Sequence, residues 1–394
     1  MVVSREVALG ELFDIGSSKR VFQSEWRNKG VPFYRAREIA KLASDGYVDN
    51  DLFIDEDLYD RYVKEYGKPM PGDIMVTGVG TLGVCYIVQE QDKFYFKDGN
   101  ILWFRTKNTD KVLSEFIVRA FDSDYVKDEI RKNSSGTTVG TFTIQTAKQL
   151  KIRLPSMPEQ RSIVDKLACV DKLILFRKKQ LEKLDQLVKS RFIELFGDPV
   201  SNPHGYPKVP LSELAEIKIG PFGSLLHKED YIENGHALVN PSHIVAGRIS
   251  VDDELTVSDE KFSELSAYHL QIGDVVMGRR GEMGRCAVVQ TDGLLCGTGS
   301  LLIRTKGDVT ADYLQKIISF PSFKKTIEDM AVGQTMPNLN VPIVSRFQII
   351  KPPIAVQKAY YSFVEQTDKS KLAIQASLDK LELLKKSLMQ EYFK

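Results

Sequence analysis

Apolar residues recur at alternating three- and four-residue spacing along two long stretches of this chain. Between about 158 and 196 they fall at Ile163, Leu167, Val170, Ile174, Leu181, Leu184, Val188 and Leu195. Between about 355 and 393, Val364, Ile374, Leu378, Leu381 and Leu388 hold equivalent places. Such spacing lays one apolar seam along each of two long helices, and a seam of that length needs a partner helix to cover it. The nearest partner for each is the other, which predicts an antiparallel coiled coil.

Ahead of each helix the pattern changes. Residues 1–155 and roughly 205–352 carry short β-branched and aromatic runs (DIMVTG, VCYIV, ILWFRT; DVVMG, CAVVQ, LLIRT) separated by glycine-rich turns, which predicts strands. Helical stretches at 114–133 and 311–330 interrupt them. The chain therefore reads as an α+β protein in four parts: a globular domain at 1–155, a central long helix at 156–197, a second globular domain at 198–353 and a C-terminal long helix at 354–394.

The second half repeats the first. MPGDIMVTGVGTLGVCYIV (70–88) lies over QIGDVVMGRRGEMGRCAVV (271–289) at an offset of 201 residues. Gly72-Asp73 then meets Gly273-Asp274, and Gly80, Gly83 and Cys85 meet Gly281, Gly284 and Cys286. SGTTVGTFTI (135–144) faces VGQTMPNLNV (332–341) at an offset of 197, which also sets Pro155 on Pro352, Gln160 on Gln357, Asp171 on Asp368 and Phe196 on Phe393. One unit of about 200 residues is written twice, with the drift in offset that loop insertions and deletions produce. Two units joined by paired helices make a pseudo-twofold object with two heads on a rod. Each helix of about 39 residues would extend ~58 Å at 1.5 Å per residue, more than one turn of DNA at about 34–36 Å. That geometry suits duplex DNA with two half-sites on one face.

Composition narrows the reading. Hydrophobic content of 42% and charged content of 27% are those of a globular protein. No apolar run reaches about eighteen residues and MVVSREVALG has no signal-peptide pattern, so no membrane span is expected and a cytoplasmic location is. With a net charge of +1, any nucleic-acid binding must come from local patches. Cys85, Cys169, Cys286 and Cys296 show no CxxC spacing and read as reduced structural thiols.

Enzyme signatures fail in turn. GVGTLG (78–83) fits GxGxxG, but a strand-like VCYIV follows where a dinucleotide fingerprint needs a helix. NPSH (240–243) is similar to the Asn-Pro-Pro-aromatic motif of amino-methyltransferases, yet Ser242-His243 cannot stack on a flipped base as that aromatic does. GxxxxGK[ST] is absent. All five histidines lie between His204 and His269 without metal-ligand spacing, so neither a catalytic nor a metal site is expected.

The start Pro155-x-x-Pro158-Glu159-Gln160-x-x-Ile163-Val164, the helix ending SRFIELFGDP (190–199) and the duplicated layout resemble the specificity subunit of type I restriction–modification systems. The resemblance covers essentially the whole chain. KPPIAVQKAY at the second helix start departs from it, keeping Gln357 but lacking a Pro-Glu pair. The resemblance implies two target recognition domains that read double-stranded DNA with a split, asymmetric sequence, and no catalysis or cofactor in this chain. It implies as partners two modification subunits that transfer methyl from S-adenosylmethionine to adenine and, in the full complex, restriction subunits that hydrolyse ATP. A self-sufficient methyltransferase or nuclease with a hidden site is the competing reading. A coiled-coil scaffold without DNA contacts is a third.

Reading bases needs Arg, Lys, Asn, Gln, Ser or Thr on exposed loops, with Lys and Arg also on phosphates. In the first domain Lys19, Arg20, Arg35, Arg37, Thr77, Thr81 and the Ser135, Thr137, Thr138 loop fit. In the second, Lys228, Ser242, His243, Arg279, Arg280, Gln334, Thr335 and Asn338 fit. Arg279-Arg280 and the GTT/GQT loops fall at matched places of the two units. The acidic runs at 45–60 and 252–264 would repel phosphate and are expected on faces turned from DNA.

Overall fold

The short β-branched runs become strands, and the strands form the same frame twice. The computed structural model describes residues 5–133, 140–251, 254–282, 284–331 and 338–394. It divides into two compact units, Met1–Lys179 with Gln375–Lys394, and Gln180–Ile374. Each unit holds one globular domain together with a length of both long helices, Met157–Phe196 and Ile354–Phe393.

In the first unit an antiparallel sheet runs in the order Phe13–Gly16, Ile101–Thr106, Ile74–Thr77, Cys85–Ile87. Both faces of its Ile74–Thr77 strand are buried. Ile74 and Val76 pack with Leu102, Phe104, Phe116 and Phe121 on one side, while Met75 packs with Phe94, Phe96 and Ile101 on the other. Helix Ser114–Asp122 supplies Phe116 and Phe121 from the first side. A smaller sheet, in the order Phe53–Ile54, Val31–Tyr34, Tyr95–Phe96, lies beyond, with Val31–Tyr34 parallel to Tyr95–Phe96. Strand Arg5–Ala8 pairs antiparallel with Lys151–Leu154 and closes the domain just before the long helix.

The second unit repeats this plan. Its sheet runs Ala215–Ile219, Ser300–Thr305, Val275–Gly278, Cys286–Val288, and Val275 pairs with Val288 as Ile74 pairs with Ile87. Strand His236–Val239 lies parallel to Leu294–Cys296, and Lys208–Pro210 pairs with Gln348–Ile350.

The landmarks of the repeat are structural anchors. Gly72 and Gly273 both adopt φ +89°, a left-handed turn that glycine makes without a steric cost. Each turn delivers a buried aspartate. Asp73 Oδ2 accepts from the Met70 N–H (2.8 Å), Trp103 Nε1 (2.7 Å) and Arg105 Nη2 (2.8 Å). Asp274 accepts from the Gln271 N–H (2.7 Å), Arg304 Nε (2.8 Å) and Arg304 Nη2 (2.7 Å).

Each long helix is latched at its start by a fully buried glutamine. Gln160 accepts from the Leu113 N–H at 2.9 Å and donates to the Lys111 and Pro155 carbonyls at 3.0 and 2.9 Å. Gln357 accepts from the Thr310 N–H at 3.0 Å and donates to the Asp308 and Pro352 carbonyls at 3.4 and 2.9 Å. Within each unit the helix segments run antiparallel. In the first, Asp171 meets Lys385 at 2.7 Å and Lys178 meets Glu382 at 3.1 Å. In the second, Asp185 meets Lys371 at 2.7 Å and Phe192 packs edge-on against Tyr360 with centroids 5.5 Å apart.

Candidate nucleic-acid interface

Five segments meet along one rim of the first domain, and hydrogen bonds fix their order. The Lys97 N–H donates to the Tyr34 carbonyl at 2.8 Å, seating residues 97–100 beside the end of the Val31–Tyr34 strand. Ser18 Oγ donates to Phe96 O at 2.6 Å and Ser17 Oγ to Ile101 O at 2.9 Å, laying residues 17–20 along the same turn. Gly78 N donates to Asn100 O at 2.8 Å, and Gly78 O accepts from Phe142 N at 2.9 Å, which adds the 78–83 hairpin turn and residues 140–142. A Cβ at Gly78 would stand 2.8 Å from the Phe142 carbonyl oxygen.

The second domain builds the same rim from Gly220, 239–243, 297–300, 279–282 with 284–285, and 338–340. Gly297 N and Ser300 Oγ donate to Val239 O at 3.0 and 2.8 Å, and Gly220 N donates to Ser300 O at 3.0 Å. Arg279 N donates to Gly299 O at 3.0 Å, and Leu339 N donates to Arg279 O at 2.9 Å. Where the first domain sets Gly78 against Asn100, the second sets Arg279 against Gly299. The glycine has moved across the contact, and a side chain projects from the other partner.

The rims carry different donors. In the first, Lys19 Nζ lies 5.4 Å from the Tyr66 ring centre and Lys97 Nζ 6.0 Å from that of Trp26, and neither has an acidic partner among the described residues. Arg20 reaches Asp98 at 3.2 Å. Arg35 and Arg37 both close on the buried Glu38 carboxylate, and Arg35 also reaches Asp51 at 2.9 Å. In the second, Arg279 Nε donates to Asn338 Oδ1 at 3.2 Å, and Arg280 forms a backbone bridge with Asn338. Among the described residues neither arginine has an acidic partner. Burial, and then the charge of Arg280, lower the Arg279 guanidinium from its ordinary value; it stays cationic.

Each matched segment of these rims rests on a fold duplicated along nearly the whole chain, and the same duplication appears in comparison with known proteins. The family described as the type I restriction modification DNA specificity domain matches twice, over residues 2–186 and 203–383. The chain belongs to this family. The two matches begin 201 residues apart, the offset that sets Gly72 on Gly273. The chain is 27% identical over 165 residues to a putative type I restriction enzyme specificity subunit of Haemophilus influenzae, across 41% of this chain and 39% of that relative. It is 20% identical over 335 residues to the type I restriction enzyme MjaVIII specificity subunit of Methanocaldococcus jannaschii, across 77% of this chain and 78% of the relative. The crystal structure of the HsdS subunit from Thermoanaerobacter tengcongensis shares the fold at a TM-score of 0.58 and 16% identity, over 99% of this chain and 96% of that one.

In this specificity-domain chain the remaining candidates divide by exposure. Thr77 is buried; its hydroxyl donates to Thr81 O and accepts from Val84 N at 2.9 Å, stitching the hairpin turn, with Thr81 exposed at the tip. His243 is buried with Nδ1 2.7 Å from Leu238 O, while Ser242 beside it is exposed. Lys228 is exposed in the short Lys228–Asp230 turn, and among the described residues nothing ties it to the other segments. Ser135, Thr137, Thr138, Gln334 and Thr335 lie outside the described residues. The GxGxxG stretch is a hairpin turn into strand Cys85–Ile87, as its sequence context requires. Asp51, from the acidic run at 45–60, sits beside Arg35 on the rim.

Sequence reasoning overlooked Glu38, Asn240 and Arg285. Arg285 Nη1 donates to Pro241 O at 3.1 Å and its other edge meets Glu282 at 2.7 Å, tying the hairpin turn to the 239–243 segment. The available signal was the ends of two parallel strands, VPFYRARE (31–38) and HALVNPSH (236–243), which align at an offset of 205 that neither the 201 nor the 197 register exposes.

Proposed function

We propose that this chain reads a split, asymmetric double-stranded DNA target, one half-site per globular domain, and scaffolds two methyltransferase subunits and, in the full complex, restriction subunits. It catalyses no reaction itself; S-adenosylmethionine and ATP are used by the partners, in the cytoplasm where the DNA lies. The observation that carries this reading is the pair of rims: one backbone frame, built twice, that presents Lys19, Arg20 and Arg37 in one domain and Arg279, Arg280 and Ser242 in the other. Guanidinium and ammonium groups on such rims meet phosphates and base edges.

A scaffold role has its own support. The long helices leave Leu173, Leu175, Phe176 and Leu383 exposed in the first unit, and Leu187 and Leu372 in the second. Large apolar side chains left exposed on these helices support a surface for a protein partner. Of the described residues, none form a cluster of three or more His, Cys, Asp or Glu able to hold a metal, and none form a helix long and apolar enough to cross a membrane.

Methylation mapping of cells with and without this gene tests the reading. A split motif with unlike halves, methylated only when the gene is present, is the expected result. The purified chain alone should neither bind S-adenosylmethionine nor methylate or cleave DNA. Methyl transfer by the isolated chain would overturn it in favour of a self-sufficient enzyme.

A further inference from the structure

The residue that follows each parallel strand occupies one place in both rims. The Lys97 N–H donates to Tyr34 O in the first domain and the Gly297 N–H to Val239 O in the second, so Arg35 corresponds in position to Asn240, Arg37 to Ser242, and Glu38 to His243. Glu38 and His243 are the buried members of the two sets, at 1% and 7% exposure. Both turn back on the strand end: Glu38 Oε2 accepts the Arg35 N–H at 2.9 Å, and His243 Nδ1 lies 3.3 Å from Asn240 N. The frame is shared and the outward chemistry is not.

In the first domain one buried carboxylate holds two guanidinium groups. Arg35 donates through Nε at 3.1 Å and Nη2 at 2.9 Å, and its Nη2 is used a second time by Asp51 at 2.9 Å. Arg37 reaches Glu38 Oε1 through Nε at 2.8 Å and Nη2 at 2.7 Å, while Asp51 stands 3.6 Å away, beyond hydrogen-bonding reach. Its inner edge is therefore fixed. Among the described residues the Nη1 group has no partner, and the outer hydrogen of Nη2 meets no acceptor nearer than Asp51 at 3.6 Å, on a side chain 69% exposed. That outer pair is the fork that fits the O6 and N7 acceptors of guanine, and no comparable fork exists at Ser242. Burial pushes the Glu38 carboxyl up, but hydrogen bonds from Arg35 and Arg37 outweigh it and hold it below its ordinary value, so the brace is ionised at neutral pH.

We infer that Glu38 is a positioning residue for base reading: it aims Arg37 at a guanine in the half-site read by the first domain. The inference rests on the DNA-reading function proposed above and adds to it the base, the reader and its brace. A fixed guanidinium loses less freedom on binding and keeps its geometry for one base edge, where a loose one would serve any phosphate.

The test selects bound duplexes from a pool with two randomised blocks, using the full chain and its Arg37→Gln, Glu38→Gln and Glu38→Asp variants. The wild type should enrich a split motif with a guanine in the half that changes when residues 1–155 are exchanged. Arg37→Gln and Glu38→Gln should each relax that one position, by roughly 5- to 150-fold, and leave the second half-site intact. Glu38→Asp should restore part of the preference, which a merely structural role would not. If Glu38→Gln fails to fold, Arg37→Gln decides the reader and Glu38→Asp the brace, a full wild-type preference in Glu38→Asp overturning the positioning role. A motif with every base preference unchanged overturns the inference while leaving the proposed function standing. Uniform weakening with a salt slope lower by about one does the same, returning Arg37 to a phosphate contact. A wild type that enriches no motif overturns both.

Discussion

The Asp73–Arg105 pair of the first domain and the Asp274–Arg304 pair of the second stand in the same place, at 2.8 and 2.7 Å, behind glycines of the same φ. A few strands away, the rims have almost nothing in common. Gly78 stands where the other copy has Arg279, Arg37 where it has Ser242 and Glu38 where it has His243. Buried anchors are held by packing and by the cost of an unmade hydrogen bond, so the two copies have kept them. The rim side chains are held by partners particular to each domain, Arg35 and Arg37 by Glu38 and Arg279 by Asn338, so the two copies differ there while the backbone frame stays the same. The difference therefore predicts two unlike half-sites on one scaffold.

The largest effect should come from exchanging residues 1–155 for the corresponding part of a relative. One half of the methylated motif should be rewritten and the other kept, as methylation mapping reads directly. Both halves changing together would mean the rims do not act separately.

Next in size is the shared frame. Asp73→Ala and Asp274→Ala each strand a partly exposed arginine and a turn N–H, and Asp73→Ala also strands Trp103 Nε1, at a cost of about 2–4 kcal/mol apiece once solvent screening of Arg105 and Arg304 is allowed for. Urea unfolding of the two variants should give costs within about 1 kcal/mol of each other. A large loss in one and none in the other would show that equal geometry hides unequal energetics.

The frame was legible in the sequence because it depends on local rules. Glycine marks the left-handed turns, alternating apolar runs mark the strands, and three-four spacing marks the helices Met157–Phe196 and Ile354–Phe393. Gln160 and Gln357 were visible as a matched pair, but their role was not. It depends on the loops at 111–113 and 308–310, which folding brings to the helix start from 47 to 49 residues away. Of the rim, the exposed arginines could be named from residue type alone. Glu38 could not: a glutamate one residue after Arg37 reads as a solvated charge until its strand and helix bury it.

A smaller effect belongs to the second rim by itself. Arg279→Ala with Arg280→Ala should weaken DNA binding by ~1–3 kcal/mol if one of them forks onto guanine. If they meet phosphates, the salt slope should fall by about one per contact and all sequences should weaken alike. Binding titrations at several salt concentrations separate the two. The corresponding Gly78 and Val79 carry no charge, so no matching loss is available in the first domain. Unchanged affinity and slope would return both arginines to the solvated surface.

The smallest effect is a pH dependence confined to the first rim. A carboxyl held below its ordinary value in the fold takes up its proton less readily there than in the unfolded chain. Glu38 should therefore add stability above its unfolded value of 4.5 and lose that contribution as the pH falls through its lower folded value. At neutral pH Glu38→Gln should cost about 1–2 kcal/mol, reduced by the exposure of Arg37, and the gap to wild type should close in acid. Asp122 works the other way. Burial raises its carboxyl, so its ionisation costs stability and acid relieves that cost. Because Asp122 is present in both proteins, its contribution cancels when their unfolding curves are subtracted. What remains is the Glu38 contribution with the two arginines it holds. A gap that stayed constant from neutral pH to well below 4.5 would mean that Glu38 contributes through packing alone, and that Arg35 and Arg37 are not bound to a charge.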